Sequence, residues 1–539
     1  MENHLRIALT FSGGGYRAAA FHLGTLSYLD SIKIGESCLS DYLTAMSTIS
    51  GGSITGLYYM LGLLHKKDFS QIFDELYHFF MNVDLATQAM DGLDKREPDK
   101  YVSLIRTMAD VYNKELFEGA TLGMLMDCQK AISIKHFSAN ATDFTNGLPF
   151  RFQVTSKTGI RQELLTGYGL IGNKKNFIPR EIAQHIRLAD VLACSSCFPG
   201  GFEPMVFPSD FKLGDSEEIK KYIIKTRPFG IMDGGIVDNQ GIDPILLAEE
   251  RMEKDQKSNE KCLDLVIISD VSGPYMDSYE ISDIHLPKSI GNITLNKITT
   301  FLWILCSILT ICTIISYIVS SISFISGVLT TVLVFAMSGM FFYSVLKKKL
   351  IDRCKKTIIS ERVSSLLKIS FNDLTTLVVN RINSVKLLIT SVFMKHIRRM
   401  DYRSVYRDDG WINRRIMNAV YELRSGEAWM QKEKLPNYLK PSVELQKNSE
   451  RAASMGTTLW FSKEDKEGGM ADALIADGQY TICWNLLEYI ERIKEDKTNT
   501  NKNHELILAC EEQLKKDWNL FQKDPLFRLK EWKLLSQKE

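Results

Sequence analysis

The stretch Met46-Ser-Thr-Ile-Ser-Gly-Gly-Ser53-Ile-Thr-Gly-Leu-Tyr-Tyr59 decides how the rest of the chain is interpreted. A short apolar run leads into two glycines and a serine, and a helix-like apolar segment follows over residues 54–64. A tight glycine turn between a strand and a helix projects a serine hydroxyl in front of the helix N-terminus. The segment Gly51-Gly52-Ser53 therefore predicts a nucleophile elbow with Ser53 as the nucleophile. An ordinary glycine-rich loop is the alternative.

A second glycine-rich turn lies near the N-terminus. Residues 5–11 alternate and are rich in apolar side chains, which predicts a buried strand. Ser12-Gly13-Gly14-Gly15-Tyr16-Arg17 follows, and residues 18–29 have helical spacing. Backbone N–H groups in such a turn converge on one spot, as an oxyanion hole requires. A nucleotide P-loop is disfavoured because the Gly-Lys-Ser/Thr ending is absent, and a turn that serves packing alone is the remaining alternative.

The acidic partner of a serine is sought at another strand end. In residues 229–239, Asp233 stands between an apolar run and Gly234-Gly235, where it has room to reach a neighbouring hydroxyl. A turn aspartate that binds its own backbone is the alternative, and for Asp238 it is the favoured one. Residues 188–197 predict a short helix of small residues that lines the elbow or only packs. Cys194 and Cys197 at its end are interpreted as packing residues, because no second ligand pair stands at zinc spacing.

The composition changes sharply at residue 298. Residues 298–346 contain 49 consecutive positions without a charged side chain or histidine. One crossing of a bilayer needs about 20 apolar residues, so this length predicts a transmembrane hairpin, with spans near 301–320 and 328–346. Lys297 and the run Lys347-Lys348-Lys349 bracket the pair, and the positive-inside rule places both ends in the cytosol. A buried soluble hairpin is the weaker alternative.

The region after the hairpin is predicted to be mostly helical. Residues 347–407 are basic, which suits either contact with anionic headgroups or an ordinary amphipathic cover helix. Residues 411–429 and 471–493 are predicted to be helices, the second with a possible break at Gly478. With 66 basic and 65 acidic residues the formal charge is +1, which gives no argument for a nucleic-acid partner. Ten scattered cysteines favour a reducing, cytosolic setting.

Taken in order, these motifs resemble the patatin-like phospholipase family. The matching segments are residues 12–17, 50–53, 193–199 and 233–235, and four ordered motifs are a specific signal. The resemblance covers residues 5–280 well and 400–490 loosely. It implies an α/β fold, a three-layer α/β/α sandwich that the hairpin interrupts and a helical C-terminal region completes or covers. One position departs from the usual Gly-x-Ser-x-Gly elbow: when Ser53 is its serine, Thr55 holds the last place.

The resemblance also implies a mechanism. A Ser53–Asp233 dyad would replace a Ser-His-Asp triad, with Asp233 accepting the serine proton and the N–H groups of the glycine turn binding the oxyanion. His22 lies within a predicted helix and is expected to have no catalytic part. No metal and no cofactor is required. The implied oxyanion residues are Gly13, Gly14 and Gly15, and the supporting residues are Arg17, Gly51, Gly52, Gly234 and Gly235.

The sequence thus predicts a membrane-anchored serine acyl hydrolase that cleaves acyl esters of phospholipids or lysophospholipids. Its expected partners are membrane phospholipid, the lipid bilayer and a possible second copy of the chain, and its expected location is a bacterial inner membrane, with the catalytic part on the cytoplasmic side. The alternatives are a regulated defence effector that degrades the cell membrane and an inactive membrane scaffold. The expected domains are a catalytic core (1–285), the hairpin (298–346) and the C-terminal region (347–539).

Overall fold

The computed structural model describes residues 5–93, 101–128, 132–155, 170–256, 262–276, 279–283, 285–319, 324–356, 368–426, 428–431, 435–495 and 504–535. The chain forms two compact units: Met1–Met276 with Met394–Glu539, and Asp277–Phe393. The three-part division expected from the sequence stays a prediction. The sequence also predicts a strand at residues 162–166, after the turn Lys157-Thr158-Gly159, and this segment lies outside the described residues.

The first unit is built on one eight-stranded mixed sheet. In chain order, its strands are β1 (Ile7–Phe11), β2 (Leu43–Ile49), β3 (His136–Asp143), β4 (Leu148–Val154), β5 (Met205–Phe207), β6 (Phe229–Asp233), β7 (Leu265–Asp270) and β8 (Arg415–Ala419).

The sheet order is β8-β7-β1-β2-β3-β6-β5, with β4 paired to β3. The pairs from β8 to β3 are parallel, whereas β4 and β6 pair antiparallel to β3 and β5 pairs antiparallel to β6. Parallel strands at the centre of a sheet are typically covered on both faces.

Side chains alternate between two apolar cores along the central strands. Ile7 and Leu9 of β1 belong to the larger core, whereas Ala8 between them belongs to the smaller one, on the other face. Strand β7 repeats this pattern, with Ile267 in the larger core and Val266 in the smaller. Because a strand has a side-chain period of two, the sheet is covered on both faces, and the predicted α/β/α layering is confirmed.

Helices of the first unit supply these covers. They span Gly15–Ser31, Gly51–Leu64, Phe69–Asn82, Leu85–Leu93, Leu104–Tyr112, Leu122–Cys128, Arg180–Ala183, Leu188–Ser195, Glu217–Lys225, Ile242–Gln256, Met394–Tyr406, Val443–Ser454, Lys463–Gly468, Met470–Glu495, His504–Leu508, Glu511–Lys523 and Phe527–Leu535.

The C-terminal region contributes to the core as well as to the surface. Helix Met470–Glu495 packs on helix Gly15–Ser31 at very close range: a Cβ at Gly478 would lie 2.1 Å from the Phe21 carbonyl oxygen. Gly478 therefore permits the two backbones to touch, and the helix runs through it without the break that was considered. The predicted helix over residues 411–429 is wrong in its central part, where Arg415–Ala419 forms edge strand β8 beside β7.

The second unit is helical. It contains Lys288–Gly291, Leu295–Val319, Phe324–Lys356 and Phe371–Leu387, the last of which continues as a π-helical segment, Leu388–Phe393. Among the described residues, three helices are long and apolar enough to cross a membrane: Asn296–Val319, Phe324–Lys349 and Phe371–Tyr406. The first two match the predicted hairpin and extend beyond its predicted ends, and the third was not predicted as a span.

Candidate active site

The sheet register brings two distant strand ends together. Strand β4 pairs with β3 along residues 137–143, so β2 and β6 share the opposite edge of β3. On that edge Ile49, the last residue of β2, pairs with Asn140, while Asp233, the last residue of β6, pairs with Ala141. The chain therefore leaves strand β2 at Ser50. This residue lies at the same level of the sheet as Asp233, although 183 positions separate the two residues in sequence.

Ser50 occupies the sharp turn between β2 and helix Gly51–Leu64. Its backbone has φ 51° and ψ −122°, a region that non-glycine residues seldom adopt and that is associated with functional turns. The turn is held by the Ser50 N–H, which donates to Ser195 Oγ at 2.9 Å, and by the Ser53 N–H, which donates to the Ser50 carbonyl at 2.9 Å. The Ser50 side chain is in polar contact with the Asp233 carboxylate, and this contact lowers the pKa of that group.

Ser53, the predicted nucleophile, is placed elsewhere. It lies in the first turn of the helix, fully buried, and its hydroxyl contacts Thr48 Oγ1 at 3.0 Å and Ser195 Oγ at 2.8 Å. Ser195 donates its single hydroxyl proton to the Asn140 carbonyl at 2.7 Å, so Ser53 is the donor to Ser195. Ser50 therefore occupies the turn beside Asp233, whereas Ser53, the predicted nucleophile, holds the Ser195 side chain that supports this turn.

Asp233 is fixed on all sides. Its Oδ1 accepts the Gly235 N–H at 2.7 Å, its N–H donates to the Cys197 carbonyl at 3.0 Å, and its carbonyl accepts from Thr142 Oγ1 at 2.7 Å. Burial raises the pKa of the carboxyl to about 6, and the contact with Ser50 and the hydrogen bond from Gly235 partly oppose this rise. A carboxylate with this pKa is a much better proton acceptor than an exposed aspartate at neutral pH.

The glycine turn presents free backbone donors next to Ser50. The Gly13 N–H is used, because it donates to the Asn239 carbonyl at 3.1 Å, and the Tyr16 N–H donates to the Thr458 carbonyl at 2.7 Å. Between them, the N–H groups of Gly14 and Gly15 have no acceptor among the residues that the structure describes. Of the three predicted oxyanion residues, Gly14 and Gly15 therefore keep an available donor, and Gly13 does not.

Close backbone contact keeps the glycine turn against the elbow. A Cβ on Gly51 would lie 1.9 Å from the Gly15 carbonyl oxygen, and one on Gly13 would lie 3.2 Å from the Ser50 Cβ. Gly15 itself has φ +60° and faces the Thr458 carbonyl oxygen, 1.9 Å from its ideal Cβ. No side chain fits at these contacts, so the glycines fix the distance between the free N–H groups and the serine.

Replacing Gly15 with alanine is expected to remove most activity. The new methyl group would clash with the Thr458 carbonyl and shift the turn, and the loss of one oxyanion donor typically lowers kcat by roughly 10²–10³-fold. Gly456→Ala is the matched control, because an ideal Cβ at Gly456 in the neighbouring loop has nothing within 4 Å. Ester hydrolysis by both purified variants, alongside their thermal unfolding, checks this; an active Gly15→Ala protein would contradict it.

Arg17 and His22 hold the turn from behind. Arg17 donates to the Met455 carbonyl at 2.8 Å and to Thr457 Oγ1 at 3.4 Å, and these bonds tie the turn to the C-terminal loop. His22 stacks on Phe11, and its Nε2 donates to the Ser12 carbonyl at 3.0 Å. Burial lowers the pKa of His22 to about 3, so it is a neutral core residue.

The remaining candidates are structural. Gly52 lies against the carbonyl oxygens of residues 11 and 12, and Gly234 against that of Asn140. Asp238 accepts the Gly241 N–H at 2.7 Å, which confirms the turn interpretation. Cys194 and Cys197 are buried and contact Met205 Sδ and the Glu203 carbonyl. In the described part of the chain, no three His, Cys, Asp or Glu side chains are grouped to hold a metal ion.

Sequence reasoning missed Ser50, Ser195 and Asn239. The signal for Ser50 was its position: strand Leu43–Ile49 ends directly before Ser50-Gly51-Gly52, so the turn begins at residue 50. Ser195 lies in the predicted small-residue helix, and its contact with the Ser50 N–H shows that this helix does line the elbow. No local pattern distinguishes Asn239, whose backbone carbonyl makes the contact with Gly13.

Comparison with known proteins assigns the region that contains this site to a family. The family model for patatin-like phospholipases matches residues 9–246, a range that includes the glycine turn, the elbow and Asp233. Residues 9–246 are a patatin-like phospholipase domain. This membership supports a lipid ester hydrolase.

The solved structures that are similar to the chain include human GIVD cytosolic phospholipase A2 in complex with methyl gamma-linolenyl fluorophosphonate and terbium chloride. That match has 13% identity and a TM-score of 0.28, and it covers 49% of this chain and 40% of that one. No curated protein matches the chain. The assignment of the patatin-like domain therefore rests on the family model.

Proposed function

We propose that the protein is a membrane-anchored serine acyl hydrolase that cleaves acyl esters of phospholipids or lysophospholipids with a Ser50–Asp233 dyad. The observation that carries the proposal is that the sheet register brings Ser50 beside the buried Asp233 carboxylate, next to two free backbone N–H groups. These are the three parts that acyl transfer needs: a nucleophile, a base in contact with it, and donors for the oxyanion.

The reaction follows from this arrangement. Ser50 Oγ attacks the ester carbonyl carbon while its proton passes to Asp233, and the carbonyl oxygen becomes an oxyanion bound by the N–H groups of Gly14 and Gly15. The protonated Asp233 then gives its proton to the leaving oxygen of the lysolipid or glycerol backbone, and the acyl chain stays on Ser50. Water, deprotonated by Asp233, attacks the acyl-enzyme and releases the fatty acid.

The activity is expected to depend on the ionisation of Asp233. Because burial raises the pKa of this base to about 6, kcat/KM should rise as the pH increases through about 6 and should level off above 7. The rate of hydrolysis of a short-chain ester, measured from pH 4.5 to 8.5 on the full-length protein, checks this. A profile that is flat between pH 5 and 7 would argue that another group is the base.

The apolar helices support the membrane part of the proposal. Leu295–Val319 and Phe324–Lys356 have many large exposed apolar side chains, including Phe301, Ile318 and Phe335, each more than half exposed. Exposed apolar surface on this scale is normal for helices that face lipid. We propose that the pair is a two-pass anchor with both ends on the cytoplasmic side, which keeps the hydrolase at the surface of its substrate.

The test is lipid hydrolysis by the full-length protein in lipid nanodiscs. Nanodiscs with phosphatidylethanolamine, phosphatidylglycerol or lysophospholipid are incubated with the protein, and free fatty acid and lysolipid are measured by mass spectrometry. We expect fatty acid to be released from at least one of these lipids. Hydrolysis of a short soluble ester without release from any lipid would contradict the substrate class, and no turnover of either would favour the inactive scaffold.

A further inference from the structure

The helix that follows the hairpin carries an apolar stripe that no other part of the described chain covers. Val378, Ile382, Val385 and Ile389 recur at spacings of four, three and four residues, so they lie along one face of helix Phe371–Leu387 and the start of its continuation Leu388–Phe393. These four side chains are between 46% and 61% exposed. A continuous exposed apolar stripe of this length marks a contact surface. We call it the lateral stripe.

The opposite face of the same helix is polar and bound to its own unit. Asn380 accepts the Ser282 N–H at 2.9 Å and donates to the Ser282 carbonyl at 3.1 Å, while Asn383 donates to Ser282 Oγ at 3.0 Å. One end of this face is held by Asn372, whose Oδ1 accepts the Leu286 N–H at 2.7 Å. The helix thus has one face on an irregular protein segment and one face open.

The irregular segment lies in water. Asp283 and His285 are 73% and 78% exposed and face each other at 3.3 Å. Exposed charges and irregular backbone do not occur against the hydrocarbon of a bilayer, because neither finds hydrogen-bond partners there. One face of the helix is therefore exposed to water or to a hydrated segment over much of its length. A helix with such a face does not cross a membrane, even though it is long and apolar enough to do so.

The start of the helix is fixed beside the proposed anchor. The Phe371 N–H donates to the Ile293 carbonyl at 2.9 Å, and Ser370 pairs with Thr294, one residue before hairpin helix Leu295–Val319 begins. Lys347, in the second helix of the hairpin, lies near the start of the first one, because its Nζ donates to Thr299 Oγ1 at 3.0 Å. Charged residues at the ends of apolar helices mark the membrane–water boundary, so the third helix begins at that boundary.

Two cations flank the lateral stripe. Arg381 immediately precedes Ile382 and Lys386 immediately follows Val385, and one residue turns a helix by about 100°, so the two charges lie on opposite borders of the stripe. A cationic border on an apolar face is the pattern of helices that lie in the interface of an anionic membrane, where the long side chains reach the phosphates.

We propose that helix 371–393 lies flat in the headgroup region of an anionic phospholipid bilayer, with the lateral stripe turned toward the acyl chains and Arg381 and Lys386 at the level of the phosphates. The proposal rests on the proposed membrane attachment and adds a third, non-spanning contact to the two-helix anchor. In this orientation the face that carries Asn380, together with the segment bound to it, points away from the bilayer.

Photo-crosslinking of the full-length protein tests this directly. p-Benzoylphenylalanine is introduced in place of Val385, or of Ser384 as a matched control, since Ser384 is the preceding residue, is exposed and lies about 100° away from the stripe. The same residue in place of Phe341 of the hairpin, which is 67% exposed, reports on the anchor itself. Each protein is irradiated in vesicles of phosphatidylcholine and phosphatidylglycerol, and lipid adducts are quantified by mass spectrometry.

Lipid adducts at position 385 should exceed those at position 384 at least fivefold and should fall when phosphatidylglycerol is omitted. Equal adduct formation at both positions would overturn the flat orientation in favour of a helix surrounded by lipid. Adducts with a second copy of the protein instead of lipid at position 385 would overturn the choice of partner. Lipid adducts at 341 with none at 385 would refute this inference alone, whereas none at either position would refute the membrane anchor on which it rests.

Discussion

Replacing Ser50 with alanine is expected to lower ester hydrolysis by about 10⁴-fold or more, because the reaction loses its nucleophile and no acyl-enzyme forms. The side chain is small, and its hydroxyl has a carboxylate partner that can bind water instead, so the fold should be retained. The kcat of the purified variant with a fluorogenic short-chain ester, and its thermal unfolding, are the measurements. A Ser50→Ala protein with near wild-type kcat would place the nucleophile elsewhere.

Ser53→Ala is the matched control for that experiment. The hydroxyl of Ser53 donates to Ser195 Oγ and contacts Thr48, so its removal leaves buried polar atoms unpaired and lowers the free energy of unfolding by roughly 1–3 kcal/mol. Because Ser195 also accepts the Ser50 N–H, some loss of activity is expected, within about tenfold. The two serines therefore differ in which quantity changes: turnover for Ser50, and mainly stability for Ser53.

Asp233→Asn is expected to lower kcat by roughly 10²–10⁴-fold, the usual contribution of a general base. Asparagine keeps the shape of the side chain, and its oxygen still accepts the Gly235 N–H, but its amide group donates to Ser50 and cannot take the proton. Single-turnover acylation, followed with a chromogenic ester, measures the affected step. Unchanged acylation in this variant would show that the base is another group.

The same substitution lowers activity but is not expected to lower stability at high pH. The pKa of Asp233 is about 6 in the folded protein, above the value of about 3.9 of an unfolded chain, so its contribution to stability is complete below pH 4 and is lost as the pH rises through 6. At pH 8 the native protein carries a buried carboxylate that the asparagine variant lacks. Thermal unfolding at pH 8 should therefore show a melting temperature for Asp233→Asn that is no lower than that of wild type; a marked decrease would contradict the assigned burial effect.

The parts of the site that lie on continuous local patterns could be predicted from sequence. Strand β1, the glycine turn and the following helix appear in that order because apolar alternation, glycine and helical spacing are all local signals. Asp233 was found for the same reason, as an acidic residue at the end of an apolar run. The predicted transmembrane hairpin also rests on a local property, the absence of charge over 49 residues.

The register of the elbow could not be fixed in the same way. Ser50 and Ser53 both border the glycine pair, and the motif Gly-x-Ser-x-Gly favoured the second although Thr55 departs from it. Two features separate them. Strand β2 ends at Ile49 because of its pairing with β3, and β6 brings Asp233 to that end of the sheet, although the residues involved are almost 200 positions apart. Such non-local pairing leaves no trace in the local sequence.

The edge strand β8 shows the same limit. Residues 415–419 have no strong strand pattern, and their neighbours suggested a helix. They form a strand because β7 offers a free edge, along which Arg415 to Ala419 pair in parallel with Val266 to Asp270. Gly478 is the converse case: a glycine that suggests a break in sequence stays helical because the neighbouring helix packs on it too closely for a side chain.

The central claim is that Ser50 is the residue that forms the covalent intermediate, and active-site labelling tests it most directly. The full-length protein is treated with a fluorophosphonate probe in detergent micelles and digested, and fragment ions locate the modified serine within residues 46–59. We predict a single adduct on Ser50 in the wild type and in Ser53→Ala, and none in Ser50→Ala. An adduct on Ser53, or labelling that persists in Ser50→Ala, would contradict the account.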